Sequence, residues 1–123
     1  MSYEIQPDAA RRLVDVTVVG TYDAKSVVEM VATARELAEA RGWHILYDMR
    51  SARPGDMSSA DLYWMPRRLP ALGSDAAARI RVAVVHPAEH AALAAYWETT
   101  FLNSGLQVKA FAEEPVALEW LRA

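Results

Sequence analysis

The chemistry-bearing side chains of this chain crowd into one stretch. Between Asp48 and Arg68 stand Asp48, Arg50, Arg53, Asp56, Asp61, Tyr63, Trp64, Arg67 and Arg68. Carboxylates beside guanidiniums can orient and neutralise a polar ligand, and arginine with tyrosine and tryptophan is the composition of binding hot spots. Asp48, Arg50, Arg53, Tyr63, Trp64 and Arg67 are therefore the candidate ligand or partner surface. The competing reading is a solvated loop with Trp64 tucked under it. His86 and His90, with Glu89 between them, come nearest to a metal pair. Pro87 sets His86 ahead of the helix that His90 enters, and no third ligand stands near, so no metal and no other cofactor is expected. No Gly-x-Ser-x-Gly elbow supports a hydrolase triad, and the five glycines stand singly rather than in a phosphate loop. An enzyme built on Asp48 and Arg50 is the weakest reading. The residues point to a protein that is not an enzyme.

The elements that must position these groups belong to one domain, residues 1–123. Hydrophobic residues make up 53% of the chain and charged ones 24%, the balance of a globular protein rather than a disordered one. The absence of cysteine excludes disulfides and thiolate chemistry. A net charge of −3 gives no pull towards nucleic acid. The longest unbroken apolar run, Ala91 to Trp97, is far short of the roughly 20 residues that cross a bilayer. The first dozen residues lack the apolar stretch of a secretory signal, so a cytoplasmic location is the expectation.

Periodicity then lays out the chain. A short strand, Tyr3 to Gln6, is expected to end at Pro7-Asp8. In Leu13 to Val19 the valines Val14, Val16 and Val18 alternate with Asp15 and Thr17, the mark of a strand with one dry face, closed by Gly20. Asp23 can cap a helix in which Val27, Met30, Val31, Ala34, Leu37 and Ala38 form the apolar stripe, with Arg35 off it and Gly42 as the stop. Trp43 to Tyr47 reads as a buried strand stopped by Asp48, followed by a loop from Met49 to Met57. Ser58 or Ser59 can cap a second helix with Leu62, Met65 and Leu69 on one face, kinked at Pro66 and ended by Pro70 and Gly73. Ile80 to Val85 is a second buried strand. Pro87 opens a helix whose apolar face is Ala92, Leu93, Tyr96, Trp97 and Phe101, and Asn103-Ser104-Gly105 stops it. Leu106 to Phe111 is the last strand, and Pro115 opens a helix with Val116, Ala117, Trp120 and Leu121 on one stripe. The order predicts an α/β fold: a mixed, largely parallel five-stranded sheet with an antiparallel opening pair and about four covering helices.

These residues carry a resemblance. Ile80-Arg81-Val82-Ala83-Val84-Val85, a helix ending near Phe101, Val108-Lys109-Ala110-Phe111 and Ala117-Leu118-Glu119-Trp120-Leu121 together resemble the C-terminal half of the SpoIIAA-like proteins. These are relatives of the STAS domain, a fold also compared with the lipid-binding SEC14 group. The first half agrees in layout, so the resemblance spans nearly the whole chain. It implies a small domain used for protein association or ligand sensing. STAS anti-sigma-factor antagonists carry Asp-Ser-Ser-Gly eight residues after a strand-end Asp, and the second Ser is phosphorylated. Here Asp56-Met57-Ser58-Ser59-Ala60 follows Asp48 at that distance, which would put Ser58 on the phosphoacceptor position, although Met57 and Ala60 depart from the pattern. The alternative is that Ser58 is an ordinary helix cap.

Two functions follow as expectations. The first is a non-enzymatic, STAS-like regulatory or protein-interaction module. The second is a binding protein for a small apolar or amphipathic ligand, under a lid formed by residues 49–69. A homodimer is expected as well. Tyr3 to Gln6 and Leu106 to Phe111 are the sheet edges, and off-stripe Trp64 or Tyr63 would stand near the contact.

Overall fold

The computed structural model describes residues 1–64, 67 and 75–123. A hairpin opens the chain, β1 (Ser2–Asp8) and β2 (Leu13–Tyr22), and α1 (Ala24–Arg41) leads to β3 (His44–Pro54). The short helices α2 (Ser59–Trp64) and α3 (Asp75–Arg79) precede β4 (Arg81–Val85). A 3-10 turn at Ala88–His90 runs into α4 (Ala91–Leu102), and β5 (Gln107–Phe111) and α5 (Glu114–Arg122) follow. The sheet has the order β1-β2-β3-β4-β5. Its first pair is antiparallel and the others are parallel, as the element order predicted.

That order decides where the helices lie. Each parallel strand is added on the same side of the last, and right-handed crossovers then put α1 and α4 on one face. Val14, Val16 and Val18 of β2, Ile45 and Tyr47 of β3 and Val82 and Val84 of β4 form the main core there, with Val27, Met30, Val31, Ala34 and Ala38 of α1. Trp97 and Phe101 of α4 close it. The alternate residues, Leu13, Leu46, Ala83 and Val85, meet Ala117 and Leu121 of α5 on the opposite face. No reversal of strand order occurs, so the sheet has no topological switch point at which a ligand crevice opens between diverging crossovers.

The termini of α1 match their sequence signals. Asp23 accepts from the Ser26 amide at 2.8 Å while Ser26 Oγ accepts from the Asp23 amide at 3.1 Å, a reciprocal capping box. Gly42 sits at φ 69°, the left-handed conformation a helix stop requires, and its amide donates to the Ala38 carbonyl.

Several expected boundaries move. Pro7 lies within β1, opposite Val14, which an edge strand tolerates because the missing amide would face solvent. Gly20 does not close β2; with φ 95° it stays paired with Ala52 as the strand runs on. The largest shift is at Asp48. Instead of ending there, β3 continues to Pro54, through residues expected to be a loop and half of a lid. A bulge explains why the pattern hid this. Thr17 pairs with Asp48 but Val19 pairs with Ser51, so β3 carries one extra residue and its side-chain alternation flips. Met49 and Ala52, three apart, therefore both face the main core. On α4 the buried residues are Ala94, Trp97 and Phe101, whereas Ala92 and Tyr96 are exposed. Pro87 precedes the 3-10 turn rather than opening α4. On α5, Val116 is exposed and Trp120 half-buried, against Phe111 at 5.8 Å between ring centres. The face expected of Leu62, Met65 and Leu69, the kink at Pro66 and the stop at Pro70 and Gly73 lie outside the described residues, as does Arg68.

One junction makes stability depend on pH. His44 Nδ1 accepts the Arg81 backbone amide at 2.9 Å, joining the start of β3 to the start of β4. Burial, and then the nearby Arg81 charge, hold the His44 pKa below its ordinary value. A protonated ring cannot accept that bond. The contribution is therefore fully present above the ordinary histidine pKa of about 6.5 and is lost as pH falls through the folded-state value. Thermal melts are expected to show stability falling as pH is lowered from about 7 to 5, with a shallower fall in His44→Asn.

Candidate functional site

The residues singled out between Asp48 and Arg67 fall into three separate groups. Asp48 and Arg50 stand on β3. Arg50 Nε and Nη2 donate to the two Asp48 carboxylate oxygens at 2.9 Å each, and Nη2 lies 3.6 Å from Glu114 at the start of α5. The Arg50 side chain holds the Asp48 carboxyl below the usual range. The pair is partly exposed and satisfied within the chain, so it ties β3 to α5 for less than about 1 kcal/mol. Arg53 stands apart, donating from Nε to Thr21 Oγ1 at 3.2 Å across the β2–β3 extension. Tyr63, Trp64 and Arg67 form the third group. The two rings meet edge to face at 5.2 Å, and the Arg67 guanidinium lies 4.4 Å from the Tyr63 ring centre and 5.3 Å from that of Trp64. Tyr63 and Trp64 remain 47% and 50% exposed, an aromatic patch that turns outward rather than under a loop.

Ser58 is engaged locally. Its Oγ accepts from the Asp61 amide and its amide donates to Asp61 Oδ2, both at 3.1 Å, the bonding of a helix cap. A phosphate on Ser58 would face the Asp61 carboxylate. His86 and His90 border one small recess, and among the described residues no three metal-ligating side chains cluster.

The site with unmet chemistry is one the sequence concealed. Between the sheet and the helices α1 and α4 lies a cavity of about 40 Å³. Its floor is Val82, Val84 and Val108; α1 supplies Val27, Met30 and Arg35, β3 supplies Tyr47 and Met49, and α4 supplies Trp97 and Phe101. Arg35 is only 5% exposed. Its Nε and Nη1, the Tyr47 hydroxyl and Trp97 Nε1 are all buried without a hydrogen-bond partner. Taking an ion out of water costs several kcal/mol even after relaxation, and an unpartnered buried polar group about 1–3 kcal/mol more. Burial lowers the Arg35 pKa and raises that of Tyr47, yet a guanidinium starts so high that it stays charged while the phenol stays neutral. A cation is thus held in a largely apolar chamber, and among the described residues no carboxylate forms an ion pair with it.

The local sequence explains how Arg35 gets there. It follows Val31 by four residues and Val27 by eight, so helical geometry puts it on the buried side of α1, at the rim of the stripe. That spacing was the signal; the charge hid it. A second recess of about 10 Å³ shares Met49, Val84 and Trp97 with the cavity and reaches Tyr22, His86 and His90. Burial pushes the Tyr22 hydroxyl up to about 12. A wider cleft of about 250 Å³ at the start of β2 and β3 is lined by Arg11, Arg12 and Arg122, but Arg11 is already paired with Asp8 and Asp15.

No protein-family model matches the chain, and no curated protein does. Solved structures do. The crystal structure of an uncharacterised protein of the DUF3478 family with a SpoIIAA-like fold, from Shewanella loihica PV-4, superposes with a TM-score of 0.58. The match is at 20% identity and covers 98% of this chain and 92% of that one. The anti-sigma factor antagonist SpoIIAA in its unphosphorylated form matches with a TM-score of 0.50 at 16% identity, over 99% of both chains. The chain has a SpoIIAA-like fold. At these identities the likeness concerns architecture. Within the SpoIIAA-like fold of this chain, Asp48 sits inside β3 rather than at its end, so spacing counted from a strand-end Asp does not locate Ser58 here. Among the described residues no helix is long and apolar enough to cross a membrane.

Proposed function

We propose that this protein is a non-enzymatic, STAS-type regulatory module whose input is a small amphipathic ligand taken into the cavity between α1, α4 and the sheet. The observation that carries this reading is Arg35, buried with its Nε and Nη1 unpartnered beside a largely apolar chamber. The reading unites the two expected functions and moves the ligand site. Residues 49–54 are strand rather than lid, and of the candidate surface residues none lines the cavity. Native mass spectrometry of protein purified from cells is expected to show a retained species of small added mass. A bare polypeptide mass, with no retained species at low collision energy, would sink the reading.

The output surface we assign to Tyr63, Trp64 and Arg67, since two half-exposed rings and a stacked guanidinium are hot-spot chemistry. The same patch serves the homodimer, together with the β1 edge. The β5 edge is the better protected of the two, because Glu98 of α4 accepts the Ala110 amide at 2.8 Å. Sedimentation at micromolar concentration is expected to give a dimer that Trp64→Ala weakens. A wild-type monomer removes the dimer, and a dimer indifferent to Trp64→Ala removes the patch from it.

A further inference from the structure

We infer that the cavity ligand is a small organic monoanion, a carboxylate with a compact apolar body, whose head group is received by Arg35 with the Tyr47 hydroxyl beside it. The inference rests on the ligand-binding reading above and specifies its chemistry.

Charge is the first argument. All sixteen carboxylate side chains of the sequence lie among the described residues, and none forms an ion pair with Arg35. Glu39, one turn further along α1, exerts an electrostatic pull on it without contact. No carboxylate of the chain thus contacts the guanidinium, and an anion from outside would supply the contact that Nε and Nη1 lack. Donor inventory is the second. The unpartnered polar groups belong to three residues that line the cavity, and of these the guanidinium and the indole can only donate while the phenol can donate. Groups of that kind call for a ligand that offers acceptors, whereas one offering donors finds almost nothing. Size and charge balance are the third. One positive charge in about 40 Å³ of valine- and methionine-lined space suits a single planar carboxylate, whereas a phosphate dianion would bring a second charge with no partner. Met30 and Met49 are unbranched and yield readily, so the apolar body can extend towards the second recess past Met49 and Trp97.

The test compares probes of one shape and different charge on the full chain. Linear carboxylates from acetate to hexanoate are titrated beside their neutral amides and the corresponding alkylamines. Binding is read by thermal shift and by the NMR resonance of the Arg35 Nε–H. At least one carboxylate is expected to raise the melting temperature and move that resonance. Its amide should bind at least roughly tenfold more weakly, the loss of one charge-assisted contact, and the amine not at all. In Arg35→Met the carboxylate should lose its advantage over the amide. If an amide binds as well as its carboxylate, the anion inference falls while the ligand cavity stands. If no probe of any charge moves the Arg35 resonance, both fall.

Discussion

Trp97→Ala is expected to cost about 3–5 kcal/mol of folding stability, the largest loss from any single truncation in this chain. Trp97 is 9% exposed and packs at 5.6 Å between ring centres from Tyr22, so it joins α4 to the extended end of β2. It also walls both recesses, and its loss would merge them into one larger void whose lining loses contact on one side. Trp97→Phe should cost clearly less, because the indole Nε1 has no partner to lose. Urea midpoints for the two variants check both statements. A loss below about 1 kcal/mol for the alanine variant would mean that α4 does not close the core. Trp120→Ala should fall well short of Trp97→Ala, since that ring is only half-buried.

The contrast between those tryptophans shows what the sequence made legible. Spacing placed Trp97 in the core, since it shares a helical face with Phe101, and the clean alternation of Val14, Val16 and Val18 gave β2 its dry side. Capping chemistry located both ends of α1, because an Asp before the first turn and a glycine after the last have direct backbone meanings. The two sheet edges were expected at the first and last strands, and the order β1-β2-β3-β4-β5 puts them there. Where one side of an element is solvated, pattern fails. The end of β3 pairs with β2 beyond the reach of β4, whose last partner is Val85 opposite Asp48, so its polar composition resembled a loop. The bulge between Asp48 and Ser51 then broke the alternation that would have marked it as strand. Tyr96 and Val116 were put on buried stripes by spacing alone, though α4 and α5 are apolar over more of their circumference than the sheet can cover.

The candidate site was the least legible part. Sequence reasoning looks for charged and aromatic residues that are close along the chain, and Asp48 to Arg67 met that criterion. In space those residues satisfy one another or face outward. Arg35, Tyr47 and Trp97 come from a helix, a strand and another helix, and only the sheet order brings them to one chamber. Each looked ordinary alone: a helix-surface arginine, a strand tyrosine, a core tryptophan. Their significance lies in what they lack, a set of partners, which no linear pattern displays.

Arg35→Met is expected to do the opposite of Trp97→Ala and stabilise the ligand-free protein, by about 1–4 kcal/mol. Methionine is likewise unbranched, suits the buried side of α1 that position 35 shares with Val31 and Ala38, and can fill the chamber with a flexible apolar tip. What disappears is the cost of holding a guanidinium in a space where its Nε and Nη1 bond to nothing. The measurement must be made on protein refolded from denaturant, because any ligand bound to the folded wild type adds stability by mass action and would mask the gain. Carried through to ligand-saturated protein, the sign should reverse, with wild type the more stable. That crossing separates a functional charge from a merely tolerated one. If Arg35→Met instead loses more than about 1 kcal/mol in the refolded state, the guanidinium is satisfied within the chain, and the chamber holds no vacancy for a counter-ion.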